Sequence, residues 1–188
     1  MNKEQQNKSG LSSVEKKALL QMARNSITRA LLDVTVTDPV INSSVLAEHR
    51  GAFVTLHNQG QLRGCIGYVL PILPLAETIE EMAEAAALRD TRFPPVKPGE
   101  IDQLDIEISV LTPMQRIENT DEIEVGVHGL YLKKGYASGL LLPQVATEYN
   151  WDREMFLEQT CRKAGLPPEA WQDEATVIYT FSAEVFRE

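Results

Sequence analysis

The stretch GAFVTLHNQGQLRGCIG, residues 51–67, constrains the fold more than any other part of the sequence. GAFVTLH alternates apolar and other residues and is rich in strand formers, NQG supplies a turn, and QLRGCIG runs back. Two alternating runs joined by so few residues can only pair antiparallel, as a hairpin. A hairpin is not stable alone and needs further strands or a helix against its apolar face.

The rest of the chain offers both. SSVE at Ser12 reads as a capping box, with Glu15 reaching back to the start of a helix that extends to about Asp33. PLAETIEEMAEAAALRD opens with a proline where a helix tolerates one and carries enough alanine to pack closely on a sheet. RDTRFPPVKPGE breaks that helix with three prolines, after which QLDIEISVL alternates as a second major strand. GLYLKKG and SGLLLP read as two shorter strands joined by the turn GYASG. Asp152 caps a helix through REMFLEQTCRKA, with Gly165 at its left-handed C-cap, and TVIYTFSAEVF closes the chain as one long alternating strand. The class is therefore α+β, with a mixed or mainly antiparallel sheet flanked by helices. Residues 1–11 read as a disordered polar tail, and residues 12–188 as a single domain.

Composition narrows function by exclusion. Against 18 basic side chains stand 27 acidic ones, and the resulting charge of −9 repels phosphate backbones and anionic membrane surfaces. No segment approaches the roughly 20 apolar residues that span a bilayer, and no apolar stretch follows the polar N-terminus as in a signal peptide. The expected location is the cytoplasm. Cys65 and Cys161 lie far apart, and His49, His57 and His128 show no metal-ligand spacing, so neither a disulfide framework nor a sequence-local metal site is expected. The sequence names no cofactor.

Within the hairpin, strict alternation puts Leu62 and Ile66 on one face and Arg63 and Cys65 on the other. A guanidinium beside a thiol favours the thiolate, which is the nucleophile. Gly64 and Gly67 remove bulk and let a ligand or another backbone approach. The alternative is a small buried hydrophobe at Cys65 with Arg63 solvated. His128, between glycines at a loop-to-strand junction, is the candidate base, or else a histidine bonded locally to shape a turn. Asp90 and Arg92 either pair to organise the proline loop or line a cleft, and Cys161 reads as packing. Asp105, Glu107 and Ser109 share one strand face, with Glu107 on its solvated side.

The ordered set GAFVTL, LRGCIG, DTRFPP, IEISVLTP, HGLYL and GLLLPQVATEYNW resembles the AMMECR domain family, whose prokaryotic members are called protein A of the AmmeMemoRadiSam system, from about Ser12 to Glu188. The resemblance implies two unequal lobes with LRGCIG lining the cleft between them. Carried over by motif, it implies a site of Arg63, Gly64, Cys65, Asp90, Arg92 and His128, joined by Glu148 and, less fixed in the family, Glu107. It also implies a Memo-like protein and a radical SAM protein as partners. This chain has no CxxxCxxC arrangement, so an iron–sulfur cluster would belong to the radical SAM partner. Two functions stay open: a cysteine-centred enzyme in an unidentified modification, and a non-catalytic binding or adaptor module whose glycine-lined cleft holds a ligand or partner segment. A homo-oligomer stays open as well.

Overall fold

The computed structural model describes residues 10–188. The tail expected over residues 1–11 falls mostly outside them, but Leu11 does not belong to it: its side chain is buried and its N–H donates to the Glu184 carboxylate at 3.0 Å. The chain is α+β, with two antiparallel four-stranded sheets where the alternation patterns alone did not separate them. The described residues divide into two compact units, one running up to residue 110 with 184–188, and the other residues 111–183.

The first unit is built on the helix α1 (Ser13–Leu32), the strands β1 (Ala52–Asn58) and β2 (Gln61–Tyr68), the helix α2 (Leu75–Leu88) and the strand β3 (Leu104–Leu111). The capping box at Ser12 and Glu15 is present, and α1 ends at Asp33 in left-handed conformation. Gln59 and Gly60 join β1 to β2, both with positive φ (52° and 77°), as a two-residue turn matching strand twist requires. The sheet order is β2-β1-β3-β8, where β8 (Ala183–Arg187) returns from the end of the chain. Ala52, Val54 and Leu56 of β1 and Leu104, Ile106, Ile108 and Val110 of β3 face the core with α1 and α2. The alanines of α2 allow its backbone to approach the sheet closely.

The second unit orders β4 (Gln115–Ile117), β7 (Val177–Phe181), β5 (Gly129–Lys134) and β6 (Ala137–Leu141). The turn between β5 and β6 is shorter than GYASG: Lys134 already pairs with Ala137, leaving Gly135 and Tyr136. The helix α4 (Arg153–Lys163), capped by Asp152, packs its Phe156, Leu157 and Cys161 over the sheet, and α3 (Pro143–Glu148) precedes it.

TVIYTFSAEVF is not one strand. It breaks at Ser182, whose N–H donates to the Thr112 hydroxyl and whose C=O accepts from the Thr112 N–H, both at 2.8 Å. That two-way bond to Thr112 separates β7, in one sheet, from β8, in the other.

Candidate functional site

β2 is an edge strand, and its register to β1 slips once. Gly64 stands opposite Leu56, but Leu62 stands opposite His57, so Arg63 is the extra residue of a β-bulge. The alternation expected from sequence is thereby broken. Gly64, Ile66 and Tyr68 keep to the core side, while Leu62 joins Cys65 on the other side and is exposed. Arg63 is turned aside. Its Nε and Nη2 donate to the two oxygens of Glu100 at 2.9 and 3.2 Å, and its Nη1 donates to the Pro94 carbonyl at 2.9 Å. A guanidinium engaged on both edges by a carboxylate and a carbonyl has its charge already answered.

Cys65 is half-buried, and its sulfur accepts from the Thr55 hydroxyl directly across the hairpin at 3.2 Å. Its outward backbone groups would be open on an edge strand, and the loop after α2 closes them. The Cys65 N–H donates to Oδ2 of Asp90 at 2.9 Å, and its C=O accepts from Nη2 of Arg92 at 3.0 Å. Asp90 and Arg92 are locked to one another by Nε to Oδ1 at 2.9 Å and Nη2 to Oδ2 at 2.7 Å, and the Arg92 N–H adds a bond to Oδ1 at 3.1 Å. The Arg92 guanidinium holds the Asp90 carboxyl well below the usual carboxylate range, against the opposing effect of burial and with the Cys65 N–H assisting. Asp90 in turn raises Arg92 above its ordinary value, and the Cys65 side chain adds to that effect. The guanidinium bonded to Cys65, at its backbone C=O, is that of Arg92, itself paired with Asp90; Arg63 serves the proline loop. Of the two sequence readings of Asp90 and Arg92, the ion pair is present.

The glycines of the motif carry the approach. A Cβ on Gly64 would stand 2.1 Å from the Ala86 carbonyl oxygen of α2, and one on Gly67 would stand 2.3 Å from the Phe53 ring. The same sheet face holds residues that motif spacing alone did not single out. Thr55 is flanked by Cys65 on β2 and Glu107 on β3, and His57 stands opposite Asp105. Glu107 thus lies one strand beyond the thiol's hydroxyl partner, half-buried where a solvated residue was expected. The local signal that could have found His57 is its place two residues after Thr55 on an alternating strand. Arg63, Phe93, Pro94, Pro95, Lys97 and Glu100 line a shallow groove of about 400 Å³ beside β2.

His128 and Glu148 belong to the second unit. The His128 Nδ1 accepts from the Glu124 N–H at 3.1 Å, and the backbone N–H of His128 donates to the Glu124 carbonyl at 2.9 Å. That is the turn-shaping alternative, and it leaves Nε2 as the proton-bearing nitrogen of the neutral ring. Glu148 ends α3, exposed. Cys161 is fully buried among apolar side chains, and burial pushes its thiol up. Among the described residues no group of three or more His, Cys, Asp or Glu is placed to hold a metal ion, and no helix is long and apolar enough to cross a membrane.

Two antiparallel sheets in an α+β chain, with an LRGCIG edge strand whose cysteine is clamped by a DTR loop, define a class of protein by fold and motif together. This chain belongs to the AMMECR1 family, whose sequence profile matches residues 20–186. A protein of Methanothermobacter thermautotrophicus is 46% identical over 187 residues, covering 95% of this chain and 96% of that one. A protein of Thermococcus onnurineus is 50% identical over 181 residues, covering 90% of this chain and 88% of its own. The crystal structure of the uncharacterised protein PH0010 from Pyrococcus horikoshii is similar with a TM-score of 0.77 at 45% identity, over 90% of this chain and 89% of that one.

Proposed function

We propose that this chain is a cysteine-centred enzyme component of a cytoplasmic multi-protein modification system, acting with the Memo-like and radical SAM proteins that the family resemblance implies. Cys65 is its nucleophile or group carrier. Thr55 directs a hydroxyl at the sulfur, Arg92 supplies the neighbouring positive charge, and Asp90 fixes both Arg92 and the Cys65 backbone. Glu107, beyond Thr55 on the same sheet face, is its candidate binding position. The observation that carries the reading is that the N–H, the C=O and the sulfur of Cys65 are each held by a different side chain. A cysteine that only fills space, as Cys161 does, needs no such support.

The test is alkylation of the folded chain by iodoacetamide, followed residue by residue by mass spectrometry. Cys65 should react at least about tenfold faster than Cys161, and Thr55→Val and Arg92→Met should each slow it severalfold. A Cys65 that reacts no faster than Cys161 until the chain unfolds would leave the binding module as the better reading. That second reading has its own support in the groove beside β2, where Phe93, Pro94 and Pro95 offer apolar surface next to Lys97. Sedimentation of the chain mixed with the two partner proteins tests the association separately.

A further inference from the structure

Residues 33–43, between α1 and the short helical turn Val45–Ala47, have no regular secondary structure and form a strap across the first unit. The middle of the strap presents little to the core: Val34 and Val40 are exposed, Val40 almost completely. It is fastened instead by one polar knot. Asn25 of α1, itself buried, donates to the Thr37 carbonyl at 3.1 Å and to Oδ1 of Asp38 at 2.9 Å. Arg29, one turn further along α1, donates from Nη1 to the Val36 carbonyl at 3.2 Å and to Oδ2 of Asp38 at 2.5 Å. Its Nη2 reaches Oε1 of Glu80 on α2 at 3.3 Å, a longer bond. Two carboxyl groups from different elements therefore share one guanidinium, and Asp38 holds the better half of it.

We propose that this knot is a pH-sensitive latch, in which the strap is fastened to α1 and α2 while Glu80 carries a proton and slackens when Glu80 ionises. A protonated Glu80 donates to the Asp38 carboxylate, adding a bond between strap and helix. An ionised Glu80 sets a second negative charge against Asp38, with only Arg29 to offset both. The charged groups facing Glu80 are Asp38 from the strap and Arg29 from α1. Along α2, Glu77 and Glu84 lie a turn away on either side, and Glu84 pairs with Arg89 at 3.8 Å.

Burial and then the Asp38 charge raise Glu80 above the usual carboxylate range. Burial also opposes ionisation of Asp38, but the bonds from Asn25 and Arg29 prevail and lower it. The signs separate the two groups. A raised Glu80 contributes strap stability below its unfolded value and loses it as pH rises through the folded one. A lowered Asp38 contributes stability above its unfolded value and loses it only as pH falls through the folded one. The latch is thus closed below the ordinary glutamate value and opens as pH rises above it. At the far end of the strap Ser43 donates to Glu15, whose carboxyl is lowered chiefly by that bond, so this anchor persists as pH rises.

Backbone ¹⁵N relaxation on the full chain tests the latch as pH is raised from about 4, below the ordinary glutamate value, to about 8. Order parameters for residues 35–38 should fall from about 0.85 to below about 0.6 over that range, while residues 19–27 of α1 stay rigid. The side-chain amide of Asn25 should shift along the same titration curve. Glu80→Gln, which keeps the shape and the hydrogen-bonding end without the charge, should hold the strap rigid across the range. Glu15→Gln should leave the transition in place. A strap with unchanging order parameters, a transition surviving Glu80→Gln, or one abolished by Glu15→Gln would each overturn the proposal.

Discussion

Asp90 accepts the backbone N–H of Cys65 at 2.9 Å, across a sequence separation of 25 residues, and so places the end of α2 against the open edge of β2. The bond does what a neighbouring strand would do for an edge residue. It satisfies one outward backbone group directly and, through Arg92, the other. The thiol is consequently mounted on a backbone that cannot shift without breaking a buried carboxylate from its partners.

Asp90→Asn should therefore cost about 2 kcal/mol, the scale of hydrogen bonds to a charged group, read as a lower denaturant midpoint at unchanged slope. It should also change the acid limb of stability. Asp90 is held low in the folded state, chiefly by Arg92, so its contribution is complete above the ordinary aspartate value of about 3.9. As pH falls through that value toward the folded one, the unfolded chain takes up the proton first and stability declines. Urea titrations between about pH 5 and about pH 2.5 should show a steeper fall for the natural chain than for Asp90→Asn. Parallel curves would mean that Asp90 is not the group responsible.

The two arginines of the motifs should part company. Arg63→Met removes the two-pronged bond to Glu100 and the bond to Pro94, and should destabilise the chain by about 2 kcal/mol. Its effect on Cys65 alkylation in the folded state should stay within about twofold, because that guanidinium binds the proline loop while Arg92 is the one bonded to Cys65. Arg92→Met should reverse the pattern: its side chain is 55% exposed, so the stability cost is smaller, while alkylation slows. Equal effects of both substitutions on alkylation would contradict the assignment of Arg92 as the cation.

What the sequence made legible was local. The capping box at Ser12, the cap at Asp152 and the hairpin around Gln59 and Gly60 all depend on residues within a few positions of one another. The bulge at Arg63 was not legible, because one extra residue leaves QLRGCIG looking like a plain alternating strand. Nor was the break at Ser182, where alternation continues unbroken and only the bond to Thr112, 70 residues away, interrupts it. The site followed the same division. Cys65, Asp90 and Arg92 came from motifs, but the pairing of Arg63 with Glu100 and the row of Cys65, Thr55 and Glu107 depend on strand register.

Glycines at three positions should respond in distinct ways. Gly64→Ala drives a Cβ to 2.1 Å from the Ala86 carbonyl, a backbone atom that cannot swing away, and should cost about 3 kcal/mol. Gly139→Ala meets the Ala164 nitrogen at 2.5 Å and the Thr160 carbonyl at 2.7 Å, so the contact between β6 and α4 should fail comparably. Gly60→Ala meets no atom within 4 Å but must adopt a φ of 77°, a strain of about 1 kcal/mol. Thermal unfolding of the three variants should rank Gly60→Ala well above the other two.

Leu11 ties the start of α1 to β8. A chain cut to start at Ser12 keeps the capping box yet loses a side chain that is 6% exposed, together with the N–H that binds Glu184. Glu184 would keep its 2.6 Å pair with Lys16 but lose the backbone donor that helps hold its carboxyl low, so the return of β8 onto the sheet is weakened from the same end. Leu11→Ala should cost about 2 kcal/mol through lost burial alone. The Ser12 truncation should cost more than Leu11→Ala, and a chain starting at Gly10 should retain both contacts and the original midpoint. Denaturant midpoints for the three chains decide the matter: if Leu11→Ala matches the natural chain, the leucine does not anchor α1 to β8.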